Sequence, residues 1–248
     1  MTEVGVESLG DRVTLVELRR PPNNFFDEDL LTQIADAVLE LDDDPTVSVI
    51  LLGSEGKHFC AGADLRDTSA ASIRRVYRQA YRLFSGRKPV VAAIQGAAVG
   101  GGLGLALAAD FRVVGPSSRL TANFARIGFH QGFGLSATLP AIVGRQRALD
   151  LLYTGRSVMG AEAVEIGLAD ELSDDVRSTA LSFARRIAGS APLSLVAIRS
   201  TMRRQLRADV ATALDLEAAA QAALLGTHDF AEGVAAAVAK RSPEFDGS

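Results

Sequence analysis

Two glycine-bearing turns carry the residues of this sequence best suited to chemistry. One is GKHFCAGADL (56–65). The other is AAVGGGLGLALAAD (97–110), where Gly100, Gly101, Gly102 and Gly104 interrupt an apolar run that otherwise reads as a buried helix. A glycine inside a helix costs about 0.5–1 kcal/mol relative to alanine, so the cluster requires a reason. One reason is a ligand. Turns at 62–64 and 100–102 that each open a helix would present unpaired backbone N–H groups and the positive end of the helix dipole. Facing one another, they would cradle an oxygen as it becomes negative. The other reason is close packing of the helix against its neighbours.

Better-known loops do not fit. From Gly100 or Gly102 the sixth position of a Gly-x-Gly-x-x-Gly dinucleotide fingerprint is Leu105 or Leu107. Gly56-Lys57 is followed by His58 rather than Ser or Thr, and Leu51 stands where a phosphate loop begins with glycine. GLSAT (134–138) lacks the second glycine of a nucleophile elbow. Cys60, between Phe59 and Ala61, reads as a small apolar packing residue. The acidic LDDDP (41–45) reads as a solvated helix end rather than a metal site, and Phe25–Phe26 as packing between the early turn and the core.

The elements that would hold the two turns alternate in type. VTLVEL (13–18) reads as a strand, and a helix starts at Asp27 with Leu30, Leu31, Ile34, Val38 and Leu41 on one face. TVSVILLG (46–53) is an apolar strand leading to the first turn. A helix follows with Ile73, Val76, Tyr77, Ala80, Leu83 and Phe84 at helical spacing, stopped by Gly86. PVVAAIQG (89–96) is a strand leading to the second turn, and FRVVG (111–115) is another. Beyond 116 the pattern is mostly helical. Pro192 marks a boundary, and the alanine-, leucine- and arginine-rich 193–240 suggests helices packed on a partner surface. The class is α/β, with a strand–helix core over 1–190 and a helical segment over 191–248.

Composition narrows the partners. The 248 residues are 48% hydrophobic with a net charge of -4, an ordinary globular balance. There is no tryptophan and no basic stripe, so neither nucleic acid nor an anionic membrane surface is expected. MTEVGVESLG reads as neither a secretory signal nor a transit peptide, and no apolar stretch reaches membrane-spanning length. A single cysteine, Cys60, excludes an internal disulfide and a cysteine zinc cluster. A cytoplasmic protein without a metal site is expected.

In order and spacing, GKHFCAGADL (56–65) and KPVVAAIQGAAVGGGLGLALAADFRVV (88–114) resemble the two signature regions of the crotonase superfamily, the enoyl-CoA hydratase/isomerase family. RRPPNNFFD (19–27), GRQRALDLLYTGRSVMGAEAVEIGLADEL (144–172) and AKRSPEF (239–245) extend the similarity nearly end to end. The resemblance implies a spiral of repeated ββα turns, with C-terminal helices that mediate homotrimers, often paired into hexamers. It implies acyl-CoA thioester substrates and no cofactor beyond the coenzyme A that enters with them. The backbone N–H groups of Ala63 and Gly101 would form an oxyanion hole for the thioester carbonyl. Ala61, Asp64 and Leu65 would line the coenzyme A path, with Lys240 and Phe245 near its nucleotide end. Ala237 departs from the phenylalanine that many members carry there.

Two further departures bear on chemistry. Hydratases of the family use two glutamates, and their positions here are Gly104 and Phe124. Without them, addition of water to an enoyl thioester lacks its usual acid and base. His130 lies on the segment from which other members project catalytic side chains, and an imidazole there could carry a proton. Gln131 could orient water but is no base, and Asp64 is expected to cap a helix that begins there. Two readings stand: an acyl-CoA enzyme with an unusual proton carrier, or a non-catalytic acyl-CoA-binding or carrier protein.

Overall fold

The computed structural model of the chain describes residues 2–64 and 68–248. In chain order the elements are β1 (Val4–Ser8), β2 (Val13–Leu18), α1 (Glu28–Asp43), β3 (Val49–Ser54), α2 (Ala70–Ser85), β4 (Val90–Ile94), β5 (Ala97–Val99) and α3 (Gly101–Ala108). Then follow β6 (Phe111–Val114), β7 (Arg119–Thr121), a 3-10 turn (Phe124–Ile127), α4 (Leu135–Val143), α5 (Arg145–Thr154) and β8 (Ser157–Met159). The last are α6 (Gly160–Glu165), β9 (Glu171–Leu172), α7 (Val176–Ala188), α8 (Pro192–Leu224) and α9 (His228–Ala239).

A six-stranded sheet runs β1-β2-β3-β4-β6-β9. Its first pair is antiparallel and the rest are parallel. The central strands read as unbroken apolar runs because both sheet faces are covered. With a side-chain period of two, Val13, Leu15, Val49, Leu51, Val91, Ala93 and Val113 turn to one side, against Val176, Ala180, Ala184 and Ala188 of α7. The alternate residues Val16, Leu18, Ile50, Leu52, Ala92, Ile94 and Val114 join the main core with α1, α2 and α3.

The repeat that positions the site is visible in the hydrogen bonding. After β3, Cys60 forms a parallel bridge with Ala98 in β5. β5 in turn pairs with β7 and β7 with β8, making a small second sheet beside the large one. Each turn of the spiral therefore runs from a strand of the large sheet to a short extended segment of the small one, and then to a helix. The turns at 61–64 and 100–102 occupy the same place in successive repeats, which stacks one on the other.

Local chemistry sets the helix ends. Asp27 caps α1 by accepting the Leu30 N–H at 2.9 Å. Ser69 and Ser72 form a reciprocal capping box at the start of α2, and Gly86 ends it. Pro192 occupies the first turn of α8. Two expectations need correction here. The helix expected to open at Asp64 is α2, which begins at Ala70 under the Ser69 cap. Asp42, read as part of a solvated end, is buried and accepts the N–H groups of Arg87 (2.8 Å) and Lys88 (3.0 Å), fixing the entry to β4.

The C-terminal helices share the main core through Val210, Leu214, Ala218 and Phe230. A buried ion network ties α8 to the sheet: Asp110 at the end of α3 meets Arg199 Nε at 2.7 Å and Arg203 Nη1 at 2.5 Å. α8 also leaves Leu193, Ile198, Met202 and Leu216 exposed. Among the described residues, no helix is long and apolar enough to cross a membrane.

Candidate active site

At the first turn, Phe26 and Ala63 form an isolated parallel bridge whose bonds run from Phe26 N–H to Gly62 O (3.0 Å) and from Asp64 N–H to Phe26 O (3.3 Å). In that pattern the N–H of Ala63 itself points the other way. At the second turn, Gly100 N–H donates to Thr121 O at 2.8 Å, and Gly101 is the first residue of α3, where an N–H has no intrahelical acceptor. Neither Ala63 N–H nor Gly101 N–H has an acceptor among the described residues.

Two cross-bonds hold the turns in register, Cys60 N–H to Ala97 O (3.0 Å) and Val99 N–H to Cys60 O (3.0 Å). Gly62 sits at φ +102°, and a Cβ there would stand 2.8 Å from Val99 O and 3.7 Å from Gly101 N. Only glycine permits that approach. His58 strengthens the junction by accepting the Ala97 N–H at Nδ1 (3.1 Å), and burial, with Lys57 and Arg119 nearby, lowers its pKa. Cys60 is buried, and burial pushes its thiol up to about 12, as its reading as a packing residue requires.

Ala61, Ala63, Asp64 and Gly101 line one cavity of about 380 Å³. Five rings line its wall, Phe26, Tyr77, Phe124, Phe129 and Phe133, together with the aliphatic Ile73, Val76, Val99 and Ile127. Polar groups gather where it opens, at Asp27, Glu28, Asp64 and Arg75, with Glu28 and Arg75 paired at 2.6 Å. Asp27 is held below the ordinary carboxylate range, because the Arg20 contact and the Leu30 N–H outweigh the opposing effect of burial. Phe26 thus does more than pack the core, as it forms part of the cavity wall.

The model of a protein family described as enoyl-CoA hydratase/isomerase matches residues 9–248. The chain belongs to the enoyl-CoA hydratase/isomerase family. It is 32% identical to 1,2-epoxyphenylacetyl-CoA isomerase of Escherichia coli (strain K12), covering 95% of each chain. It is 31% identical to crotonyl-CoA hydratase of Syntrophomonas wolfei, again over 95% of each. It is also similar to the crystal structure of an enoyl-CoA hydratase/isomerase from Pseudoalteromonas atlantica, with a TM-score of 0.88 and 30% identity over 98% of this chain and 100% of that one.

In this enoyl-CoA hydratase/isomerase family member, Gly104 and Phe124, where the sequence resemblance implies glutamates, both lie against the aromatic side of the cavity. A Cβ on Gly104 would fall 2.5 Å from Phe133 Cβ and 2.9 Å from its ring, so the Phe133 side chain fills the space where a residue at 104 would project. Phe124 is buried and faces the same cavity. The glycine cluster therefore serves packing as much as any ligand. A Cβ on Gly101 would meet the Phe26 ring at 2.5 Å, and one on Gly102 would meet Cys60 O at 2.1 Å.

His130 is not brought to the cavity. Gly132 and Phe133 line it instead, while the half-buried imidazole turns back so that its Nδ1 lies 2.7 Å from Gln131 O. Gln131 donates to Ser136 Oγ at 3.1 Å and does not line the cavity either. Lys240 ends α9 in a left-handed conformation and is exposed, and Phe245 is also exposed; neither lines the cavity. Leu65 lies outside the described residues.

The residues the sequence reading missed come from α2 and α8. Tyr77 donates its hydroxyl proton to Gln221 Oε1 at 2.7 Å, and Gln221 Nε2 donates to His130 O at 2.8 Å. Burial raises the Tyr77 pKa. Four residues earlier on α8, Glu217 is fully buried, accepting Gly134 N–H and Ser136 N–H at 2.8 Å each. Burial raises its pKa against those two bonds. The signal was present: Glu217 and Gln221 are polar residues spaced i, i+4 along an alanine-rich face, a placement that requires buried partners.

Proposed function

We propose that this protein acts on acyl-CoA thioesters, with the N–H groups of Ala63 and Gly101 holding the thioester carbonyl oxygen as it becomes an enolate. The observation that carries this reading is that two residues lining one cavity from successive turns, Ala63 and Gly101, each have a backbone N–H with no acceptor among the described residues. Relatives named for reactions of enoyl-CoA and epoxyacyl-CoA support the substrate class. A fixed donor aimed at developing charge in a water-poor site is worth roughly 2.7–4 kcal/mol. Ala61, Asp64 and Leu65 belong to the coenzyme A path, and Lys240 and Phe245 to its nucleotide end. The exposed apolar residues of α8 fit a homotrimer or hexamer. The cytoplasm is the assigned compartment, and coenzyme A enters only with the substrate.

Hydration of crotonyl-CoA is weak on this reading. Neither Gly104 nor Phe124 supplies a proton carrier, and each missing acid or base forfeits roughly 10²–10⁴-fold. A second reading, a non-catalytic acyl-CoA carrier, is favoured by the Phe133 ring filling the space at Gly104. Exchange of the α-protons of an acyl-CoA for deuterium, followed by NMR in D2O, separates the two. Protein-dependent exchange supports the enzyme, whereas tight binding with no exchange supports the carrier. An affinity for butyryl-CoA no greater than that for coenzyme A removes both.

A further inference from the structure

The segment 130–136 is gripped from several sides. Phe133 takes a left-handed backbone conformation, φ +61°, which is costly for a bulky residue and persists only where the surroundings impose it. Here they do. The Tyr77 hydroxyl is pressed against the turn, where a Cβ on Gly132 would come 1.8 Å from its oxygen, and Tyr77 and Gln221 join α2 to α8 and to His130 O. Glu217 takes the N–H groups of Gly134 and Ser136. Strain at a ligand cavity, enforced by a buried network, points to a side chain whose placement matters to what the cavity holds.

What Phe133 presents to the cavity is one half of a tilted ring pair. Its centroid is 5.4 Å from that of Phe26, with the planes at 59°. Tyr77, Phe124 and Phe129 add three more rings to a wall that Ile73, Val76, Val99 and Ile127 share. We propose that the acyl group selected here is planar and aromatic, and that Phe133, positioned by Tyr77, Glu217 and Gln221, is the residue that selects it. This rests on the acyl-CoA reading of the site and adds the acyl class to it.

Two physical effects favour such a group. A planar ring can lie offset or edge-on to Phe26 and Phe133, and each such pairing is worth about 2- to 12-fold in affinity beyond area burial. A ring also has fewer rotors to immobilise than a linear chain of similar bulk. Buried area alone gives a different order, because a saturated cyclohexyl group is more apolar than phenyl.

The experiment compares calorimetric affinities of the full-length protein for phenylacetyl-CoA, cyclohexylacetyl-CoA, hexanoyl-CoA and coenzyme A. The expected order places phenylacetyl-CoA about tenfold or more ahead of the other two thioesters, and all three ahead of coenzyme A. In Phe133→Leu the preference for phenylacetyl-CoA over hexanoyl-CoA collapses to within about threefold, because the ring pairing is lost. In Tyr77→Phe, which removes the hydroxyl bonded to Gln221 against this turn, the preference falls and coenzyme A affinity is unchanged. Cyclohexylacetyl-CoA or hexanoyl-CoA binding as tightly as phenylacetyl-CoA in the wild type overturns the proposal, whether or not the variants fold. So does an undiminished preference in Phe133→Leu. Thioesters binding no better than coenzyme A overturn the acyl-CoA reading itself, and this proposal with it.

Discussion

Replacing Gly104 with alanine tests whether Phe133 occupies the space that a side chain at 104 would need. Two opposed effects act. In a helix interior alanine is favoured over glycine by about 0.5–1 kcal/mol, and Gly104 lies inside α3. Against this, the new methyl would stand 2.5 Å from Phe133 Cβ and 2.9 Å from two ring carbons, whereas carbon atoms rest comfortably at about 3.5–4.0 Å. Phe133 cannot easily withdraw, since the adjacent Gly134 N–H is held by Glu217 and its ring packs against Phe26. Overpacking of a fixed core costs about 1–3 kcal/mol net.

The same substitution made in a Phe133→Gly background meets neither that Cβ nor the ring, and only the helix preference remains. Gly104→Ala should therefore destabilise the wild type by about 1–3 kcal/mol and stabilise the Phe133→Gly protein by about 0.5–1 kcal/mol. The coupling between the two positions is then about 1.5–4 kcal/mol, well above the few tenths expected of independent sites. Thermal or urea unfolding of the four proteins at one fixed protein concentration measures it, and each 1 kcal/mol moves the midpoint by about 2–4 °C in a chain of this length. Phe133→Gly itself costs several kcal/mol, so only the difference between differences is informative. Equal effects of Gly104→Ala in both backgrounds would refute the reasoning.

The buried Asp110 pair with Arg199 and Arg203 should be the most costly charge to remove: Asp110→Asn is expected to lose about 3–5 kcal/mol by chemical denaturation, because two guanidinium groups are left without their counter-charge. Burial alone would raise the Asp110 pKa, but the two arginines outweigh it and lower it, so its contribution is complete above the ordinary value of 3.8 and is lost as pH falls through the lower native value; the gap between wild type and Asp110→Asn should narrow there. Cys60, buried and pushed up to about 12, should resist a thiol reagent such as iodoacetamide at pH 8 until the protein unfolds, and labelling at the rate of a free thiol would contradict the burial. Ile198 and Met202 project from α8 one turn apart, Met202 76% exposed, so Ile198→Asp with Met202→Asp should lower the oligomer mass in sedimentation while leaving the helical circular dichroism unchanged.

The long periodic elements were legible in the sequence because burial writes a pattern over many residues. α1 and α2 show their apolar stripes at helical spacing, and Asp27 and Gly86 mark ends that the structure keeps. The central strands of the large sheet read as apolar runs because α7 covers one face and α1 to α3 the other. The small sheet was not legible. β5, β7 and β8 are three residues each, shorter than the four or more that an alternating pattern needs, and they exist through pairing with one another. The stacking of the two glycine turns depends on that pairing, so their motifs could suggest two donor turns but not the distance between them.

The inner end of the cavity was hidden for a related reason. Tyr77 falls on the apolar stripe of α2, where a tyrosine is indistinguishable by spacing from any other core residue, and its partner Gln221 lies 144 residues away. His130 drew attention by its chemistry alone, yet the chain reverses so tightly after it that Gly132 and Phe133 face the cavity while the imidazole bonds to its neighbour's carbonyl. That reversal depends on Glu217 and Gln221, which hold the backbone from a helix that the sequence reading assigned to subunit contacts. The absence of a side chain at Gly104 and the left-handed turn at Phe133 are therefore two sides of one arrangement. Phe133 occupies the space left at Gly104, and the helix that holds it there reaches in from the other end of the chain.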